Sequence, residues 1–168
     1  MRQVVTLLAA LALGACGLRP LYGGGVEGQV GATLRSVDVA PIPGRTGWLM
    51  HTKLVDRLGP RGTGAAQYRL DVELDDDISG FGIRGDRATT RERRTLRARY
   101  RLVELRSGAV VLDATAGSDA GIDVVSSEYA TVAAEQTAAE RLSDVVADQI
   151  VARVGLFASR SRSVATVR

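Results

Sequence analysis

Five arginines, Arg91, Arg93, Arg97, Arg99 and Arg101, all sit at odd positions of one stretch. On an extended strand, residues two apart share a face and lie about 7 Å from each other. The guanidinium is a rigid planar fork that matches phosphate and carboxylate geometry. A row of such forks can hold several anionic groups of one ligand at once, and Arg91, Arg93, Arg97 and Arg99 are the candidate contacts. The same row has a structural use. The preceding alternating stretch turns Asp71, Glu73 and Asp75 outward, and cross-strand pairs contribute roughly 0.2–1 kcal/mol each. Five arginines against three acids leave a positive surplus, and Arg69 adds to it.

The other reactive residues are few. Cys16 is the sole cysteine. Before it come a short basic start, Met1-Arg2-Gln3, and an apolar run from Val4 to Leu13. A membrane-spanning helix needs about 20 apolar residues, so this run fits a secretory signal peptide ending in small residues. Leu13-Gly14-Ala15-Cys16 resembles a bacterial lipobox, in which the thiol takes a diacylglycerol and becomes the new N-terminus. Acyl chains contribute about 0.8 kcal/mol per buried CH₂, and stable anchoring takes more than one. A free thiol is the other reading of a leftover cysteine.

His51 is the sole histidine. A Ser-His-Asp triad needs a placed histidine base, and zinc sites usually need several His or Cys ligands. Asp75-Asp76-Asp77 lacks the spacing of an EF-hand. As three adjacent residues they are also a poor setting for the acid and nucleophile of a glycosidase. No enzyme activity, cofactor or metal is expected. The formal charge is +3, and Lys53 is the only lysine among 22 basic residues. An arginine patch suggests nucleic acid first, but an exported protein seldom meets it, and none is expected as a partner.

The elements that must position these residues follow from periodicity. Residues 17–33 are glycine-rich and read as a flexible tether. Leu34 to Ile42 reads as a first strand, with Val37 and Val39 on one face and Pro41 near its end. Thr46 to Leu58 turns helical: Met50, Leu54 and Leu58 fall at four-residue steps, flanked by Trp48 and Val55, before Gly59-Pro60. Ala66 to Asp75 alternates, with Tyr68, Leu70, Val72 and Leu74 inward. Thr90 to Leu105 alternates again, with Leu96, Ala98, Tyr100 and Leu102 opposite the arginines. Between them a glycine-punctuated loop makes a long hairpin. Ala109 to Ala116 adds a strand, with Val110, Leu112, Ala114 and Ala116 inward, and Gly117 to Asp123 is read as irregular. Ser126 or Ser127 caps a final helix. Its stripe is Ala138, Leu142, Val146, Ile150 and Val154, widened by Val145.

The expected fold is α+β (β-α-β-β-β-α): two helices packed on one face of a four-stranded, mostly antiparallel sheet. The expected organisation is a signal peptide over 1–15, lipidated Cys16 and tether over 16–33, one domain over 34–157 and a disordered tail over 158–168.

Cys16-Gly17-Leu18-Arg19-Pro20-Leu21-Tyr22-Gly23 closely resembles the start of mature LPS-assembly lipoproteins of the LptE type. Ser127-Glu128-Tyr129-Ala130 and the Ala- and acid-rich helix after it are similar to that family's last helix. The resemblance implies a non-enzymatic role. Such proteins plug and help assemble a large outer-membrane β-barrel of the LptD type, and bind lipopolysaccharide on its way to the outer leaflet. It implies basic lipopolysaccharide contacts, which the arginine row would supply. Gly17 rather than Asp after Cys16 implies sorting to the outer membrane, the domain facing periplasm and barrel lumen. The alternative reading is an auxiliary lipoprotein of a lipid-transport ABC system.

Overall fold

The architecture grows from two periods, two-residue alternation in the strands and four-residue steps in the helices. A computed structural model describes residues 28–60, 64–83 and 89–165. Its elements are α1 (Gln29–Arg35), β1 (Val37–Val39), α2 (Gly44–Leu58), β2 (Tyr68–Ile83), β3 (Thr89–Glu104), β4 (Val110–Asp123) and α3 (Glu128–Ala165). The strands form one sheet in the order β1-β2-β3-β4. β1 runs parallel to β2, with Val37 opposite Tyr68, and the remaining pairs are antiparallel. A parallel neighbour needs a crossover connection, and α2 supplies it. The sheet is therefore the mostly antiparallel α+β sheet expected.

One face of this sheet is apolar. Leu70, Val72, Leu96, Ala98, Tyr100 and Leu102 are buried against Met50 and Leu54 of α2 and Leu142, Val146, Ile150 and Val154 of α3. Tyr68 meets Phe157 of α3 edge to face at 5.9 Å. Lys53 and Arg57 of α2 reach Asp144 of α3, each at 2.9 Å, and so tie the helices together. Gly47 sits where α2 crosses the main chain of Ile42. A Cβ there would lie 2.6 Å from the Ile42 carbonyl oxygen. Gly59 closes α2 with φ +85°, its N–H donating to the Val55 carbonyl. Ser127 caps α3 by accepting from the Ala130 N–H at 3.4 Å.

Several expectations need correction. The strand expected to end at Asp75 runs on to Ile83, so the glycines at 80 and 82 lie in β2. The first strand is only Val37–Val39. Leu34 belongs instead to α1, which also takes 29–33 out of the tether. Val30 and Leu34 stand four apart, the step that puts both on one side of a helix, and both are buried in the core. The segment 117–123 is ordered strand, because Ala116 and Ile122 continue the inward parity and pair with β3. Val110 is 52% exposed, next to a register shift at Leu102/Val103. Val145 is 43% exposed; the stripe of α3 widens on its other side, through Ala139, Ser143, Ala147 and Val151. Finally, α3 continues through Ala165 rather than giving way to a tail at 158. Ala158 is buried there. The hydroxyls of Ser159 and Ser161 donate to the carbonyls of Leu156 and Phe157.

Candidate functional site: the outer sheet face

The face of the sheet turned away from the helices carries the arginine row. Strand parity alone puts Arg91, Arg93, Arg97, Arg99 and Arg101 there, since the even positions Leu96, Ala98, Tyr100 and Leu102 point into the core. The arginines differ in what they touch. Arg91 pairs with Asp123 at 3.2 Å and Arg99 with Asp113 at 3.1 Å, both acids on β4. Arg101 reaches Glu73 of β2 at 3.4 Å. The Arg99 hydrogen bond, with the charge attraction behind it, holds the Asp113 carboxyl below its ordinary range; partial desolvation opposes it. Arg69 is bound by Asp71 two residues along its own strand.

Arg93 and Arg97 are placed otherwise. Among the described residues neither has a carboxylate within ion-pair distance. Arg93 lies over the Phe81 ring, 5.3 Å from its centroid, a cation–π arrangement. Phe81 is 40% exposed. Arg97 lies flat across Gly117 and donates to the carbonyls of Leu96 and Ser118. A Cβ at Gly117 would fall 2.5 Å from the Arg97 Cδ. Glycine at 117 is what lets that side chain lie down. Four residues of strand separate Arg93 from Arg97, roughly 14 Å. A shallow groove of about 440 Å³, lined by Leu74, Asp75, Arg97, Ala98, Arg99 and Thr115, runs beside Arg97.

The four candidate arginines thus share one face, but two are matched to carboxylates and two are not. The partners come mainly from β4. The acids of β2 facing Arg97 and Arg99 in register, Asp75 and Glu73, do not take them. Arg94, which parity excludes from this face, does different work on the helix side. It grips Asp76 with Nε at 2.8 Å and Nη2 at 2.6 Å, and its Nη1 donates to the Glu135 carbonyl of α3 at 2.9 Å. Thr46 of α2 donates to the same carboxylate at 2.7 Å. The Arg94 bond holds the Asp76 carboxyl below its ordinary range, with burial opposing and Thr46 assisting. Along the chain Asp75, Asp76 and Asp77 form one acidic run. Alternation turns Asp76 inward, and even parity at both Asp76 and Arg94 was the available signal.

Among the described residues no three His, Cys, Asp or Glu side chains gather as a metal site. No helix of the described residues is long and apolar enough to cross a membrane. Cys16, with the signal peptide and most of the tether, lies outside the described residues.

Comparison with known proteins gives a consistent result. The family model for lipopolysaccharide assembly, LptE, matches residues 34–154. A solved structure of a candidate lipoprotein from Caulobacter crescentus is 25% identical, with a TM-score of 0.67, covering 80% of this chain and 98% of that one. A minor lipoprotein from Acinetobacter baumannii is 14% identical, with a TM-score of 0.53, over 71% of this chain and 88% of that one. Rare lipoprotein B from Shewanella oneidensis is 10% identical, with a TM-score of 0.52, over 79% and 97%. These last two share the fold. No curated protein sequence matches the chain.

Proposed function

Since the chain belongs to the LptE family of lipopolysaccharide-assembly proteins, we propose that it is an outer-membrane lipoprotein anchored through acylated Cys16. In this reading it seats in an LptD-type barrel, helps that barrel assemble, and contacts lipopolysaccharide on its outer sheet face. The role is binding and assembly, with no catalytic step. The observation that carries the contact site is the split of the arginine row. Arg91 and Arg99 are neutralised by Asp123 and Asp113. Arg93 and Arg97 keep charge available for phosphate, and Phe81 adds exposed apolar surface beside Arg93.

Two measurements test this. Tagged full-length protein, extracted in mild detergent, brings down a large β-barrel; recovery of an ABC permease instead overturns the barrel reading. Lipopolysaccharide binding separates the arginines. A charge-assisted hydrogen bond contributes about 1.5 kcal/mol or more, and about 1.4 kcal/mol is tenfold in affinity. Arg93→Gln with Arg97→Gln therefore weakens binding by about tenfold or more. Arg99→Gln with Asp113→Asn removes a neutral pair and leaves binding within about threefold. Equal losses in the two double variants would show that the split has no bearing on the ligand.

A further inference from the structure

Between β4 and α3, on the helix side of the sheet, lies a groove of about 470 Å³ lined by Tyr100, Ala114, Thr115, Ala116, Gln149 and Arg153. Even parity turns Tyr100 toward the helices, and its register partner on β4 is Ala114. Two alanines on β4 leave room for the ring to reach the groove. Tyr100 is 2% exposed, yet its hydroxyl has no hydrogen-bond partner among the described residues. A buried tyrosine hydroxyl usually finds one. Burial raises the Tyr100 phenol above its ordinary value, and the positive charge of Arg153 opposes the rise. The guanidinium thus stands close enough to act on the hydroxyl. Arg153 itself has no carboxylate within ion-pair distance among the described residues. Asp144 and Asp148, on the same helix, are turned to Lys53 and Arg57 of α2.

A main-chain donor completes the set. Gly117 directs its N–H away from β3, donating to the Gln149 Oε1 at 3.1 Å, and its C=O accepts from the Gln149 Nε2 at 3.4 Å. In an antiparallel pair, alternate residues share that direction. The N–H of Thr115, two residues before, therefore faces the groove as well, and Gln149 is already engaged at Gly117. We propose that this groove binds a phosphate monoester group, held by the Arg153 guanidinium, the Tyr100 hydroxyl and the Thr115 N–H. The donors come from α3, β3 and β4, so they approach from three directions. A carboxylate offers two oxygens in one plane, and a guanidinium fork alone engages both. A phosphate monoester offers three oxygens that are not coplanar with one another and phosphorus, one for each donor. The site is separate from the outer arginine row and stands whether or not that row contacts lipopolysaccharide.

Inorganic phosphate is titrated into the mature full-length chain in maltoside detergent, and the Thr115 amide and Arg153 Nε–H signals are followed by NMR. Both shift and saturate at millimolar phosphate. Arg153→Gln removes a charge-assisted hydrogen bond and weakens binding by about tenfold or more. Tyr100→Phe keeps the ring, removes only the hydroxyl, and weakens binding roughly three- to tenfold. Arg93→Gln with Arg97→Gln, on the outer face, leaves the titration unchanged. Maltoside micelles carrying phosphatidic acid distinguish the sources. The same shifts at lower total phosphate identify a lipid headgroup; shifts with inorganic phosphate alone identify the free ion. Absence of shifts with both probes overturns the proposal, as do equal shifts from acetate. Undiminished binding by Tyr100→Phe overturns it too, and so does loss of the shifts in the outer-face double variant.

Discussion

Replacing Arg94 with methionine tests whether one inward arginine joins three elements. The change keeps the apolar stem and removes the guanidinium. It deletes two hydrogen bonds to Asp76 on β2, one to the Glu135 carbonyl on α3 and one to the Thr46 hydroxyl of α2. The pair is neither on the surface nor fully buried: the side chains are 14% and 19% exposed. Exposed ion pairs contribute about 0–1 kcal/mol, and breaking a buried pair costs about 3–5 kcal/mol. An intermediate loss of about 2–3 kcal/mol follows. At about 2–4 °C per kcal/mol for a chain of this size, the melting temperature falls by roughly 5–10 °C. Urea unfolding at pH 7 measures the loss directly. The pH dependence adds a sharper check. The folded Asp76 carboxyl titrates below its unfolded value. Its stabilisation is complete above the unfolded value, about 3.9, and is lost as pH falls through the lower folded value. The gap between the two proteins is therefore constant down to about pH 4 and narrows below it, toward the part contributed by the Glu135 carbonyl. A loss under about 0.5 kcal/mol at pH 7, or a gap of unchanged size at pH 3, would refute this account.

Two substitutions test packing. Ser143 is fully buried and its hydroxyl has no hydrogen-bond partner among the described residues, so Ser143→Ala removes an uncompensated polar group and raises stability by about 1 kcal/mol, read from thermal unfolding. Gly47→Ala gains about 1 kcal/mol of helix propensity, but its Cβ meets the main chain of Ile42 at 2.6 Å. Overpacking of this kind costs about 1–3 kcal/mol, so the net effect in urea unfolding is destabilising, against the propensity expectation.

Much of the candidate site was readable before any fold was known. A period of two fixes which side chains share a face, so Arg91, Arg93, Arg97 and Arg99 had to lie together opposite Leu96, Ala98, Tyr100 and Leu102. The same rule places Arg94 and Asp76 on the helix side. Reading the acids as a run of three hid that pairing, because a run says nothing about which member turns inward. The helical steps of Met50, Leu54 and Leu58, and of Leu142, Val146, Ile150 and Val154, likewise set their buried stripes without reference to a partner.

What the linear pattern left open was every choice between neighbours distant in sequence. Val30 and Leu34 allowed a helix, but only the core beneath them made it worth forming. Val145 and Val151 are equally apolar, and the position of the sheet decided which one is covered. Arg99 had acids available on both sides, Glu73 on β2 and Asp113 on β4, and side-chain reach across the twisted strands assigned it to β4. That assignment leaves Arg93 and Arg97 as the members of the outer-face row without a carboxylate among the described residues. Sequence determines the faces of its elements because side-chain direction is a local property of the backbone. Which charges on a face are neutralised depends on distances across strands and helices, and only the assembled sheet sets those.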